Sequence, residues 1–225
     1  MKTQPVRATS SRTRNHAPLT VKFHAPMTER ARKCNNMDIV IFDLETTGLS
    51  PYSHEIIQIA GVRMRAGRIC ENEDFATFVR PHHRIPSFIT QYTGICNAQV
   101  QNAPRAKEAL LSFSRFVGDA TLIAHNGMRF DMPFIRESCA RHELPVRPVG
   151  FIDSMAFSRK LWGGRGGHGL DAVMIRLQLS ASGARRHDAR GDVQILAEAV
   201  RRMWRQLTPD FHTCPVNCGS GVMPV

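Results

Sequence analysis

Apolar residues in the middle of the chain follow two spacings, and each spacing predicts one kind of element. Short apolar runs with many branched side chains, or with alternating apolar positions, predict strands. The predicted strands span residues 38–42, 55–65, 70–80, 121–124 and 151–152. Apolar residues that recur every three or four positions predict helices. The predicted helices span residues 103–117, 131–141, 154–162, 169–178 and 189–206. Because strands come first and then alternate with helices, we expect an α/β protein with a central mixed β-sheet flanked by helices.

The two ends of the chain lack this patterning. Residues 1–35 are rich in Arg, Ser, Thr, Pro and Asn, and they predict a disordered basic tail. Their first 28 positions contain no acid, as in mitochondrial targeting segments, although a solvated basic tail is the plainer alternative. Residues 208–225 hold three Pro and two Gly, which predicts a loose C-terminal tail. The folded domain is therefore expected at residues 36–207.

The net charge of +11 favours a polyanionic partner such as nucleic acid. Residues 1–35 hold eight basic residues and one acid, so they supply +7 of this charge and the patterned part is only mildly basic. No apolar run approaches the roughly 18 residues of a membrane helix, so no membrane partner is expected. Six scattered cysteines without a secretory signal indicate an intracellular protein. We expect the cytoplasm or nucleus, and the acid-free N-terminus leaves the mitochondrion open.

Acidic residues stand at three places where strands or helices begin or end. Asp43 and Glu45 are two positions apart at the end of a strand, so both side chains point to one face. Asp131 follows a buried strand and begins a helix, where an ordinary N-cap is the plainer interpretation. His187 and Asp192 are five positions apart, which places the histidine on a loop and the acid in the first helical turn. Each pattern alone is also typical of a solvated surface.

In this order, the three patterns resemble the DEDDh family of 3′→5′ exonucleases in the RNase-H-like superfamily. The matching strings are F-D-x-E-T-T-G-L at residues 42–49, H-N-x-x-x-F-D at 125–131 and H-x4-D at 187–192. The resemblance covers about 170 residues. Six positions separate His125 from Asp131, which is more similar to the three-prime repair exonuclease (TREX) branch than to the proofreading subunits of bacterial polymerases.

The resemblance implies a fold, a cofactor and a reaction. The fold would be that of the RNase-H-like exonucleases. Four acids would hold two Mg²⁺ ions, with Mn²⁺ able to replace them, and these acids are Asp43, Glu45, Asp131 and Asp192. His187 would be the general base that deprotonates the attacking water. The expected reaction removes nucleoside 5′-monophosphates from the 3′ end of DNA, at single-stranded or frayed ends.

The resemblance also implies contacts to the terminal nucleotide, although ordinary packing is the alternative for each. The residues concerned are Thr46, Leu49, Ile95, His125 and Phe130. An exoribonuclease of the same family stays open, because the shape of the pocket senses the 2′-OH. A non-catalytic nucleic-acid-binding domain on the same fold is disfavoured, because all five acid and histidine positions are intact. The family includes dimers, which leaves a homodimer open by analogy.

Overall fold

The structure is a computed structural model that describes residues 37–180 and 189–225. The basic tail predicted for residues 1–35 lies outside the described residues, and so does His187. The strands are β1 (Asp38–Thr46), β2 (Ile56–Arg65), β3 (Arg68–Phe78), β4 (Thr121–Ala124), β5 (Val146–Asp153) and β6 (Gly219–Pro224). The helices are α1 (Ser87–Thr93), α2 (Asn97–Val100), α3 (Ala106–Val117), α4 (Asp131–Arg141), α5 (Met155–Trp162), α6 (Leu170–Leu177) and α7 (Ala189–Leu207).

The strands form one mixed sheet in the order β3-β2-β1-β4-β5-β6. β1, β2 and β3 pair antiparallel, β4 and β5 continue parallel to β1, and β6 pairs antiparallel with β5. The predicted α/β class with a mixed sheet and flanking helices is therefore confirmed. β1 lies at the centre of this sheet, which explains why it reads as an almost continuous apolar run.

Alternate residues of β1 face two different cores. Val40 and Phe42 pack with α3 and α4 on one side of the sheet. Ile39 and Ile41 pack with α5, α6 and α7 on the other side. Because side chains alternate along a strand, Asp43 and Glu45 continue the row of Ile39 and Ile41 toward the α7 side. Each large apolar side chain buried in these cores stabilises the fold by about 1.5–3 kcal/mol.

The prediction of a loose C-terminal tail is wrong, because residues 219–224 form the edge strand β6. Gly221 allows this strand to pass close to α4, because a Cβ there would lie 2.6 Å from the sulfur of Met132. Pro224 is tolerated at the end of an edge strand, and its carbonyl accepts a hydrogen bond from Ser114 Oγ. The composition of this segment resembles a loop only because small residues are needed for close approach.

Helices α1 and α2 were not predicted, and they bury Ile89 and Val100 in a small apolar cluster beside β2. Among the helices of the described ranges, none combines the length and the apolar character that crossing a membrane requires.

Candidate metal centre

Three carboxylates meet at the end of β1 on the side that α7 covers. One oxygen from each of Asp43, Glu45 and Asp192 lies within 4.8 Å of the other two. Asp43 and Glu45 are half-buried, and Asp192 is buried in the first turn of α7. Three negative groups this close repel each other unless protons or a cation lie among them. The geometry therefore brings together three of the four acids that the sequence predicts as metal ligands.

The first turn of α7 is held against the sheet by a glutamine. The backbone N–H of Ala189, the first residue of α7, donates a hydrogen bond of 3.0 Å to Oε1 of Gln58. Gln58 is only 2% exposed and pairs with Glu45 across the β1–β2 ladder. The contact therefore fixes the start of α7 beside the β1 carboxylates. Sequence reasoning missed Gln58, and the available signal was a polar residue within the apolar run of residues 56–62.

The fourth acid, Asp131, begins α4 and is 1% exposed. Burial raises the pKa of its carboxyl well above the usual range, and the negative charge of Asp43 raises it further. Backbone N–H groups of Asp131 itself and of Leu44 act in the opposite direction. Its Oδ1 has no hydrogen-bond partner among the described residues. Phe130, and not Asp131, occupies the N-cap position, so the plainer interpretation of this acid as an N-cap is wrong.

A carboxylate that the sequence did not place in the site organises the loop before α4. Asp153, at the end of β5, accepts hydrogen bonds from the backbone N–H groups of Asn126 and Met155 at 3.1 and 3.0 Å. The loop also passes close to the sheet at Gly127, where a Cβ would lie 2.6 Å from that of Ala124. These contacts fix the path along which the chain reaches Asp131. The Asp-Ser pair at the strand end was the sequence signal for this arrangement.

Thr46 is the last residue of β1, and Leu49 lies in the bend that follows the strand. Thr46 is buried, and its hydroxyl donates a hydrogen bond of 2.7 Å to the carbonyl of Gly48. Leu49 is 85% exposed. Its side chain contributes little to the core, and its role at the terminal nucleotide stays a prediction. The hydroxyl of Thr46 stabilises the turn after β1 through its hydrogen bond to Gly48.

The other three predicted contact residues have evident structural partners. Ile95 is 3% exposed and packs in the cluster beside β2. Phe130 is half-buried, with its ring centroid 5.0 Å from that of Phe134. Nδ1 of His125 forms a hydrogen bond of 2.8 Å with Ser154 Oγ. Roles for these residues at the terminal nucleotide stay predictions.

The donor set fits a divalent metal ion such as Mg²⁺. All the ligand atoms are carboxylate oxygens, which hard cations prefer. Burial is the main cause of the raised pKa of Asp131, and the negative charge of Asp43 raises it further, so these two acids are electrostatically coupled. A cation placed among Asp43, Glu45 and Asp192 would relieve the repulsion among these three carboxylates.

Comparisons with known proteins point to one family. The family described as Exonuclease matches residues 40–200. The chain is 38% identical over 146 residues to a DNA polymerase III PolC-type of Streptococcus mutans. The matched region covers 65% of this chain and 10% of that protein. The chain is 39% identical over 175 residues to a DNA polymerase III subunit epsilon-like protein of Rhodobacter capsulatus. The matched region covers 75% of this chain and 24% of that protein. The chain thus spans between a tenth and a quarter of these curated relatives.

Solved structures share the fold at lower identity. The nuclease domain of 3′hExo, a DEDDh family member bound to rAMP, superimposes with a TM-score of 0.70 at 20% identity, covering 83% of this chain and 98% of that chain. Exonuclease X in complex with 5′ overhanging duplex DNA superimposes with a TM-score of 0.61 at 24% identity, covering 78% and 97%. The mixed sheet with its flanking helices is therefore the exonuclease fold that the sequence resemblance implied.

Proposed function

Because the chain belongs to the exonuclease family, of DEDDh type, we propose that it is a metal-dependent 3′→5′ exonuclease that acts on single-stranded or frayed 3′ ends of DNA. The observation that carries this proposal is the convergence of Asp43, Glu45 and Asp192 within 4.8 Å, with buried Asp131 beside Asp43. The names of the curated relatives, which are DNA polymerase III proteins, support DNA as the substrate. Each turnover would release one nucleoside 5′-monophosphate.

The four acids would hold Mg²⁺, or Mn²⁺ in its place. When bound, the ions would stabilise the charge that develops on the phosphate and would help the attacking water lose its proton. The protein's part is to keep the carboxylates in place before the substrate arrives. β1 fixes two of them, the start of α4 fixes Asp131, and Gln58 holds the α7 turn that carries Asp192.

The remaining residues would bind the strand and move the proton. His187 would take the proton of the water that attacks the terminal phosphorus, because an imidazole titrates near neutral pH. The bond between phosphorus and the 3′ oxygen of the preceding nucleotide would break, and that oxygen would take up a proton. Exposed Leu49 would contact the terminal base, which suits an enzyme without sequence preference.

A second candidate is a 3′→5′ exoribonuclease. The observation that favours it is the similarity in fold to the nuclease domain of 3′hExo bound to rAMP. Both candidates use the same carboxylates and differ only in the sugar that the pocket accepts.

Digestion of matched DNA and RNA strands separates these candidates. Each strand carries a label at its 5′ end. It is incubated with the parent protein in Mg²⁺, with the parent protein in EDTA, or with an Asp43→Asn variant in Mg²⁺. With Mg²⁺ we expect the parent protein to shorten each strand one nucleotide at a time from its 3′ end, and to do so faster on DNA than on RNA. Neither the reaction in EDTA nor the variant should produce this ladder. A faster RNA ladder would favour the exoribonuclease. Internal fragments, or full activity in EDTA, would contradict the proposed mechanism.

A further inference from the structure

A groove runs along α7 from its first turn toward its C-terminal end. Two adjoining cavities of about 350 and 470 Å³ form it, and they share Gln178 and Arg202 in their walls. The first cavity begins at Gly191 and Gln194, on either side of Asp192 in the sequence. The second reaches Arg205 and the end of α6. The groove therefore begins at the turn of α7 that carries Asp192 and runs toward the C-terminal end of the helix.

The far part of this groove is strongly basic. Among the residues that the structure describes, the walls of the whole groove carry four arginines and one acid, Glu198; the arginines are Arg176, Arg201, Arg202 and Arg205. Glu198 pairs with Arg201 and Arg202 at 2.6 and 2.7 Å. The four arginines and the one glutamate together leave a formal charge of +3, and glutamines supply the neutral polar part of the walls. A phosphodiester backbone is the polymer that such a lining fits.

Two of the arginines are stacked in a way that keeps their donors available. Arg176 lies over the ring of Trp162, with 5.0 Å from its guanidinium carbon to the ring centroid. Arg205 lies over Phe211 at 5.9 Å. Both side chains belong to exposed residues. A guanidinium stacked by its face keeps the planar fork of N–H donors at its edge, and this fork matches phosphate oxygens. The aromatic rings thus orient these two arginine side chains so that their N–H donors can bind an anion.

We propose that this groove, the arginine groove of α6 and α7, binds the phosphate backbone of the same single strand whose 3′ end lies at the carboxylate cluster. The proposal rests on the proposed function and adds a second contact upstream of the scissile bond. Asp192 and Arg205 are separated by about 20 Å along the helix. A stacked strand rises about 3.4 Å per nucleotide, so about six nucleotides span this distance. Shorter strands cannot reach the arginines while their 3′ ends occupy the site.

The test compares strands of about 4 and about 15 nucleotides, labelled with a fluorophore, in an Asp43→Asn background that prevents cleavage. The variant Arg176→Ala/Arg205→Ala leaves the pairs to Glu198 intact. We expect its affinity for the long strand to fall about 3- to 10-fold and its affinity for the short strand to stay unchanged. The slope of log affinity against log salt should fall by about 1.4 for the long strand, since each single-strand phosphate contact contributes about 0.7.

Two control variants make the result specific. Lys107→Ala/Arg115→Ala removes two exposed charges from α3, on the opposite face of the sheet, and should leave the long-strand affinity unchanged. Arg176→Lys/Arg205→Lys keeps the charges and should keep the salt slope. An unchanged affinity of the double alanine variant, an equal loss for the short strand, or an equal loss in the α3 variant would overturn the proposal. Cleavage is measured separately with the parent protein, in which Asp43 is intact. If that protein does not cleave but its groove binds the long strand, only the proposed function is refuted.

Discussion

Gln58 accepts the hydrogen bond of the first backbone N–H of α7, from Ala189, at 3.0 Å, and it is itself the ladder partner of Glu45. One buried side chain thus joins a strand that carries two metal-site acids to a helix that carries the third. The contact gives an acceptor to one of the N–H groups at the helix N-terminus, which lack partners within the helix. The spacing between Glu45 and Asp192 therefore depends on a residue that does not belong to the carboxylate cluster.

Replacing Gln58 with Ala should destabilise the protein and loosen the metal site. Loss of a helix cap that leaves a buried N–H without a partner costs about 1–3 kcal/mol. We expect a lower denaturant midpoint and a higher Mg²⁺ concentration for half-maximal cleavage. Gln206→Ala, at the exposed far end of α7, should change neither quantity. An unaltered Mg²⁺ dependence in Gln58→Ala would mean that the contact does not position Asp192.

Replacing Asp43 with Asn should lower the rate of metal-dependent cleavage by a factor of about 10³ or more, because several kcal/mol of transition-state stabilisation are lost with the ion. The metal-free variant should melt at a higher temperature than the metal-free parent, since the charge that raises the pKa of Asp131 is gone. Cleavage rates and melting curves in EDTA test both statements. Parent-like turnover by the folded variant would overturn the site assignment.

The pKa of Asp131 predicts how the metal-free protein responds to pH. Burial and the charge of Asp43 raise this pKa in the folded protein above the unfolded value of 3.8. The folded state therefore holds the proton more tightly, and the resulting stability is present below about pH 4 and is lost as the pH rises through the folded pKa. We expect the parent in EDTA to lose more stability than Asp131→Asn between about pH 4 and 8 in denaturant titrations. Parallel curves for the two proteins would contradict the assigned shift.

Leu49 and Ile95 should respond in opposite ways to truncation. Leu49→Ala should raise KM for single-stranded DNA about 3- to 10-fold without changing Tm, because its side chain is 85% exposed. Ile95→Ala should cost about 2–5 kcal/mol of stability, because this side chain is buried. Steady-state kinetics and unfolding curves of both variants provide the measurement. A fall in Tm for Leu49→Ala would show that its role is packing.

His187→Ala tests the general base. Loss of a positioned base should lower the maximal rate by about 10²–10⁴-fold and leave strand binding nearly unchanged. The deficit should shrink as the pH rises, since water then gives up its proton more readily. Single-turnover rates at saturating Mg²⁺ from about pH 6 to 9 separate chemistry from binding. A loss below about threefold with an unchanged pH profile would make His187 an ordinary surface residue.

Local patterns predicted most of the fold and the centre of the site. Asp43 and Glu45 could be placed on one face of a strand because the side-chain period of a strand is two. Gln58 could not be identified in this way, because its role depends on a partner 131 positions away in the chain. The pairing of β6 with β5 was missed for a similar reason, since small residues resemble a loop until the surface they approach is known. The assignment to the TREX branch stays a prediction.

The order of the site residues along the chain determines when an active enzyme can first exist. Asp192 follows Asp43 about 150 residues later in the chain, which corresponds to roughly 8–30 s of synthesis. Until α7 leaves the ribosome and packs on β1 and β2, the cluster lacks one carboxylate and the turn that Gln58 holds. The carboxylate cluster is therefore complete only after α7 has been made and has packed on the sheet.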